Sequence, residues 1–418
     1  MKANLSIKPI SSFFLLMLIF PTAFQVYRGG FLILLFISSL LLIKPKTNNI
    51  SKSVAVLFLI NLISSFLFFL IGVFNNGPGA FRTTTVYIFW PFLYFYFIAF
   101  GVSFKLIENT KNIILIGGLI SSLLILLFIC NTIYPISSII TILGDFLDFK
   151  SNFLYDGFSQ VQSTNLTTVF YTLIFSMSIL MMPKHFRLNI NNPLLLTTFI
   201  LSLIIIIISG RRAFWLVLLL TPFITLLLFY IIGISFNYKF LFITLIILFL
   251  TITIYTFYNF NFDVLKSQFE TLFDFNDPNA GVGGSNYTRK LQYDELIFAW
   301  KQSPLFGKGF GTVAGSIIRD DNQTWAYELT YLALLFHTGI LGIVIYTSSI
   351  LWIIINSIFI MKRNIDSIII LFPLIVGLIS FLLINSSNPY LDKFDFLWVI
   401  FLPVIVINYY KVTNKNAK

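Results

Sequence analysis

Apolar runs of about twenty residues recur from one end of this 418-residue chain to the other, and nothing in the sequence constrains its fold more. A helix needs roughly 20 mostly apolar residues to cross the ~30 Å hydrocarbon layer of a bilayer. Such runs fall near residues 10–26, 29–43, 53–74, 83–102, 113–134, 164–182, 193–210, 213–232, 240–258, 338–361, 366–384 and 396–410. A segment in lipid must satisfy its own backbone hydrogen bonds, which leaves helices or closed barrels. Barrel strands alternate apolar and polar residues, whereas runs such as Leu203 to Ile208 are apolar throughout. The expectation is an all-α polytopic membrane protein of about 12 transmembrane helices. Composition agrees: 58% hydrophobic residues, 10% charged residues and a mean hydropathy of +0.92 do not describe a soluble core in a polar shell.

Basic residues set the orientation. With the N-terminus in the cytoplasm, fifteen Lys and Arg face inward and six lie in the short outer loops (Arg28, Arg82, Lys150, Arg211, Arg212 and Lys393). Both termini are then cytoplasmic. The first run, Ile10 to Phe24, follows Lys2 and Lys8 as a signal peptide would, but no small-residue cleavage site follows it, so it reads as the first helix. The chain divides into helices 1–9 over residues 1–258, a large outer loop over 259–337 containing short helices, and helices 10–12 with a cytoplasmic tail over 338–418. Polar chemistry gathers outside, in that loop and in the loop from Pro135 to Asn165 with Asp145, Asp148 and Asp156.

Several function classes drop out. The net charge of +11 is scattered singly through loops, which disfavours nucleic acid. The single cysteine, Cys130, lies in an apolar run and allows neither a disulfide nor a cysteine metal site. With only His185 and His337, no histidine metal site is expected, and wet-loop carboxylates such as Asp145 with Asp148, or Asp320 with Asp321, are read as solvated. No Walker A or Rossmann glycine pattern occurs, so no nucleotide or other cofactor is expected.

Four constellations remain. In Ser209-Gly210-Arg211-Arg212, two arginines fall between apolar runs at the outer end of a helical hairpin. Cations so close to hydrocarbon ask for an anion or serve as interfacial anchors. Ser285 to Trp300 reads as an amphipathic loop helix with Tyr293, Leu296, Ile297 and Trp300 on one face. Arg289 in its first turn suits a phosphate or is simply solvated. Pro304-Leu305-Phe306-Gly307-Lys308-Gly309-Phe310-Gly311 reads as a helix stop and tight turns, with Lys308 available to an anion. Finally, Glu328 precedes the run that re-enters the membrane. It is a candidate for proton transfer or for pairing with an arginine. His337 reads as a packed helix residue.

These four elements, in this order, resemble the superfamily of O-antigen polymerases and O-antigen ligases, bacterial enzymes acting on undecaprenyl-diphosphate-linked glycans at the periplasmic face of the inner membrane. The resemblance covers roughly residues 190–350. In the ligase branch a histidine typically begins the segment that Glu328 begins here, with Leu332 four and Gly339 eleven residues on. That departure points to a repeat-unit polymerase. The resemblance implies metal-independent glycosyl transfer, with Arg211, Arg212 and Arg289 stabilising the leaving diphosphate and Glu328 as general base. Arg319, Arg82, Lys308 and Tyr293 are expected to bind substrate. The partners are lipid-linked donor and acceptor glycans and membrane lipids, and a chain-length regulator is compatible with the role. A ligase and a flippase for the same lipid-linked units are the alternatives. The large outer loop, and the lack of ionisable residues deep in a span, stand against the flippase.

Overall fold

The computed structural model describes residues 2–21, 49–103, 106–155, 158–187, 191–235, 285–316, 323–386 and 388–416, together with residues 27, 29, 30 and 33. The apolar run at 240–258, most of the run at 29–43, the loop through residue 284, Arg319, Asp320 and Asp321 lie outside them.

Every apolar run within the described residues is helical. In chain order the helices are α1 (Lys2–Ile19), α2 (Lys52–Phe74), α3 (Ala80–Thr84), α4 (Trp90–Ser103), α5 (Leu106–Ile133), α6 (Ser138–Phe146) and α7 (Leu166–Met181). They continue with α8 (Asn192–Ile208), α9 (Arg212–Ile232), α10 (Ser285–Lys301), α11 (Thr330–Arg363), α12 (Ile368–Asn385) and α13 (Trp398–Asn416). Among the described residues, six helical stretches are long and apolar enough to cross a membrane. The 23 residues of α2, for instance, rise about 34 Å at 1.5 Å each. Its Val56, Leu59, Ile63 and Phe66 are exposed, as side chains facing lipid are.

At the centre runs α7, buried at every residue and packed by α5, α8 and α12. Because it meets protein on all sides, it can carry Thr172, Ser176 and Ser178. Each returns its hydroxyl to a carbonyl of the preceding turn, whereas the Thr168 and Tyr171 hydroxyls of the same helix are buried without a partner among the described residues. Trp398 of α13 meets the ring of Tyr171 edge-on at 4.7 Å and closes this core.

Three details depart from the sequence reading. The loop after α6 holds a two-stranded antiparallel hairpin, β1 (Lys150–Tyr155) with β2 (Phe158–Gln162), anchored where the Val161 N–H donates to the Ser209 carbonyl. Second, α11 begins at Thr330, so the boundary expected at 337/338 marks a break within it, at Gly339 (φ 63°, ψ −169°). Third, the buried face of α10 is Gln292, Leu296 and Ala299, and Tyr293 is 48% exposed. Among the described residues the helix packs against the first half of α11 and the segment before it, where Tyr327, Ala333 and Phe336 complete a small core.

The loops gather at two opposite ends of the bundle. At one end Asn408 accepts from the Ser51 N–H and Lys411 donates to Ser53, joining α13 to the start of α2. At the other end the close of α2, the start of α3, the α8–α9 turn, the first half of α11 and the α12–α13 loop meet, and the candidate site is built there.

Candidate active site

The sequence brings Arg289 and Glu328 together from 39 residues apart. Arg289 lies in the first turns of α10, Glu328 just ahead of α11, and the guanidinium Nε donates to Oε2 at 2.7 Å. Both side chains are a little over a quarter exposed, 27% and 28%. Of the two readings open for Glu328, pairing with an arginine is therefore realised in the structure. One turn beyond Arg289 on the same face, Gln292 accepts the Glu328 backbone N–H at 3.2 Å. Thus α10 holds Glu328 by side chain and by main chain. Gln292 escaped the sequence reading, because its partner lies 36 residues away. Its Nε2 and the Thr330 hydroxyl are buried and have no hydrogen-bond partner among the described residues.

Arg211 occupies the N-cap of α9 and Arg212 is that helix's first residue. The Arg211 Nη1 donates to the Tyr390 hydroxyl at 3.3 Å, and its guanidinium carbon lies 5.9 Å from the Phe214 ring centre. No carboxylate pairs with Arg211 among the described residues, and its Nε is buried without a partner. A guanidinium at a helix N-terminus, where free N–H groups already favour negative charge, is poised for an anion.

The glycine segment does more than turn the chain. In an unbroken α11 the N–H groups of Ile340 and Leu341 would donate to the carbonyls of Phe336 and His337. At the break those N–H groups donate instead to Pro304 and Leu305, at 2.9 and 3.1 Å. The carbonyls of Phe336 and His337 accept from Lys308 and Gly309, at 2.9 and 2.8 Å. Residues 304–309 are thus laid into the helix like a strand, and every backbone group freed by Gly339 finds a partner. The following residues reach the end of α2 and the start of α3: Phe310 N–H donates to Phe68 C=O, and Gly79 N–H to Gly311 C=O. Gly307, Gly309 and Gly311 have φ of +70°, +88° and +74°, and a Cβ on any of them would strike backbone within 2.6 Å. Lys308 contributes its main chain here, its carbonyl accepting from Asn75 Nδ2, while its side chain is half-buried and apart from the cavity described next.

Between this clamp and the α12–α13 loop lies a cavity of about 220 Å³. A π-helical turn, Thr85–Phe89, follows α3 and carries Thr85, Val86 and Tyr87 into its wall, with Arg82 at the rim. Single π turns are frequent at functional sites. Trp325, Gln323 and Ala326 cover one side, Phe310 and His337 form the floor, and Asp392, Lys393, Phe394 and Asp395 close the other side. The Tyr87 hydroxyl donates to Asp392 Oδ1 at 3.3 Å, and Tyr87 stacks on Phe310 at 4.2 Å. His337 is buried, with its Nε2 3.1 Å from the Thr312 carbonyl oxygen, so it is a packed residue as expected and also lines the cavity. Tyr327 points the other way: its hydroxyl accepts the Ala314 N–H at 2.7 Å, and burial pushes its phenol above the usual 10.0 although that hydrogen bond opposes the shift.

Of the residues the sequence singled out, Glu328 and Arg289 form one pair, Arg211 joins the α12–α13 loop, and Arg82 reaches the cavity. Tyr293 stands on the exposed face of α10, apart from the cavity, and Arg319 lies outside the described residues. Asp392 and Asp395 were not foreseen. Residues 197–347, from within α8 to within α11, match the family model described as O-antigen ligase. The matched stretch takes in Arg211, α10, the glycine segment and the break in α11. The match supports the superfamily of O-antigen ligases and polymerases, glycosyltransferase-like membrane enzymes of polysaccharide assembly. No match was found among curated proteins.

Proposed function

We propose that this chain is a glycosyltransferase that polymerises undecaprenyl-diphosphate-linked oligosaccharide repeat units at the periplasmic face of the bacterial inner membrane. The observation that carries the proposal is Arg211: a guanidinium with a buried, unpartnered Nε and no carboxylate partner among the described residues, at a helix N-terminus near the end of an apolar bundle. An uncompensated cation there is costly until an anion arrives, and a lipid-linked diphosphate is an anion delivered at that depth.

In the proposed reaction the acceptor hydroxyl attacks the sugar carbon bonded to the diphosphate. Glu328 takes the hydroxyl proton, the carbon–oxygen bond to the diphosphate breaks, and the polyprenyl diphosphate leaves with the bonding electrons. Arg211, Arg212 and Arg289 stabilise the charge that develops on it, which fixed guanidinium groups do best in a site shielded from water. Because the diphosphate competes with Glu328 for Arg289, a bound donor loosens the ion pair and frees the carboxylate to act. The energy comes from the sugar–diphosphate bond, so no nucleotide is required.

The family match favours a second reading, transfer to a lipid acceptor by a ligase. Glu328, standing where the ligase pattern has histidine, supports the polymerase. The experiment is gel banding of surface polysaccharide from a host strain lacking the gene, with the wild-type chain returned. Attachment of single repeats in the deletion strain, with the ladder restored by the wild type, is the expected result. No attached repeat at all, with lipid-linked repeats accumulating outside, supports the ligase. Accumulation inside overturns both in favour of a flippase.

A further inference from the structure

We infer that the cavity under Trp325 is a subsite for one sugar ring of the transferred glycan, separate from the arginines that hold the diphosphate. The inference rests on the glycosyltransferase reading and assigns a substrate part to a place that reading leaves open.

Charge makes the first argument. Among the described residues, two cations, Arg82 and Lys393, and three carboxylates, Asp148, Asp392 and Asp395, line the cavity, so this described lining is net negative. Their depth sharpens this. Arg82, Lys393 and Asp148 are exposed at the rim, whereas Asp392 is half-buried and Asp395 is 1% exposed. A diphosphate entering would leave the cations behind and approach carboxylates at short range, where like charges repel most strongly. A sugar meets the opposite situation, since its hydroxyls are donors and carboxylate oxygens are pure acceptors.

The apolar surfaces make the second argument. Trp325 lies flat enough against Gly79 that a Cβ there would enter its indole ring at 2.2 Å, so the ring is held in position over the opening of α3. Phe310, stacked on Tyr87, and Phe394, stacked on Trp90 at 4.7 Å, are themselves buried and back the lining. Rigid aromatic faces beside carboxylates suit the C–H face and the hydroxyl edge of a pyranose together. Size makes the third. At about 220 Å³ the space is below the ~300–1,000 Å³ typical of drug-sized ligands, which fits one ring rather than a whole repeat unit. The chain then passes directly to the reacting groups, because Ala326 lines the cavity and Glu328 follows two residues later.

The test uses the full chain in lipid nanodiscs and a free oligosaccharide released from the host's surface polysaccharide, carrying neither lipid nor phosphate. Saturation-transfer NMR titrations read its binding to the wild type, Trp325→Ala, Asp392→Asn and Arg289→Ala. The oligosaccharide is expected to bind the wild type and Arg289→Ala alike, and to lose about ten-fold in affinity both in Trp325→Ala, which removes an apolar face, and in Asp392→Asn, which turns a charge-assisted hydrogen bond into a neutral one. Should Trp325→Ala lose its monodisperse elution, Asp392→Asn carries the result. Absence of binding to the wild type, unchanged binding in both cavity variants, or displacement of the oligosaccharide by inorganic pyrophosphate would overturn the assignment. No transfer occurs in this assay, so it fails separately from the enzyme reading: a restored ladder without saccharide binding sinks only the subsite, and saccharide binding without a restored ladder sinks only the polymerase.

Discussion

Replacing Glu328 by glutamine separates structure from chemistry, because the two contributions differ in size. The amide keeps an acceptor for Arg289 Nε and removes one charge from a pair that is 27% and 28% exposed. Partly solvated pairs contribute about 0–1 kcal/mol, so the variant loses at most about 1 kcal/mol of a folded stability on the order of 5–15 kcal/mol. The folded fraction is then essentially unchanged. A general base contributes roughly 10²–10⁴ in rate, or about 2.7–5.4 kcal/mol at 1.36 kcal/mol per ten-fold. Glu328→Gln in nanodiscs should therefore melt within a few degrees of the wild type and transfer sugar at least about a hundred-fold more slowly. The assay is initial transfer rate, paired with thermal melting by size-exclusion fluorescence. A rate within two-fold of wild type, or a fall matched by loss of folded protein, would reduce the pair to a structural tie.

Other residues give sharper signs. Arg211→Gln removes a cation that has no carboxylate partner among the described residues, so its melting temperature should hold or rise while transfer falls about 10²–10³-fold. A destabilised Arg211→Gln would show that the arginine is a structural residue. Gly309→Ala forces a side chain to φ +88° with its Cβ 2.0 Å from the Gly72 nitrogen, and should cost about 3–5 kcal/mol as left-handed strain, overpacking and the lost hydrogen bond to His337 combine. A wild-type melting curve for that variant would refute the strand-in-helix clamp. Tyr327→Phe leaves the Ala314 N–H without its acceptor and should lower stability by about 1–3 kcal/mol with transfer per folded molecule unchanged. A loss of turnover without a loss of stability would put Tyr327 in the reaction.

What the sequence disclosed follows from the range of each interaction. Helix positions were legible because burial in lipid acts on every residue of a run, so Lys52–Phe74 and Ile368–Asn385 announce themselves by composition alone. The loop helix was legible from its caps and spacing, but its rotation was not. Gln292 turns inward to meet the Glu328 N–H, a partner 36 residues away that no local pattern reports. The same limit hid the cavity, whose walls come from residues near 82–87, 148, 310, 323–337 and 389–395. Asp392 and Asp395 join the cavity only because the loop folds over Tyr87. The alternating glycines were visible and their function was not, since they answer to backbone from α2, α3 and α11 rather than to their own neighbours.

The most direct test of the central claim is product analysis with the purified chain in nanodiscs, a lipid-linked single repeat unit as the sole substrate, chelator present and no nucleotide added. Mass spectrometry should find lipid-linked dimers and longer chains together with free polyprenyl diphosphate, and Glu328→Gln should yield them at least about a hundred-fold more slowly. A lipid-linked repeat recovered unchanged while the same preparation restores transfer to a separate lipid acceptor would contradict the polymerase and establish the ligase.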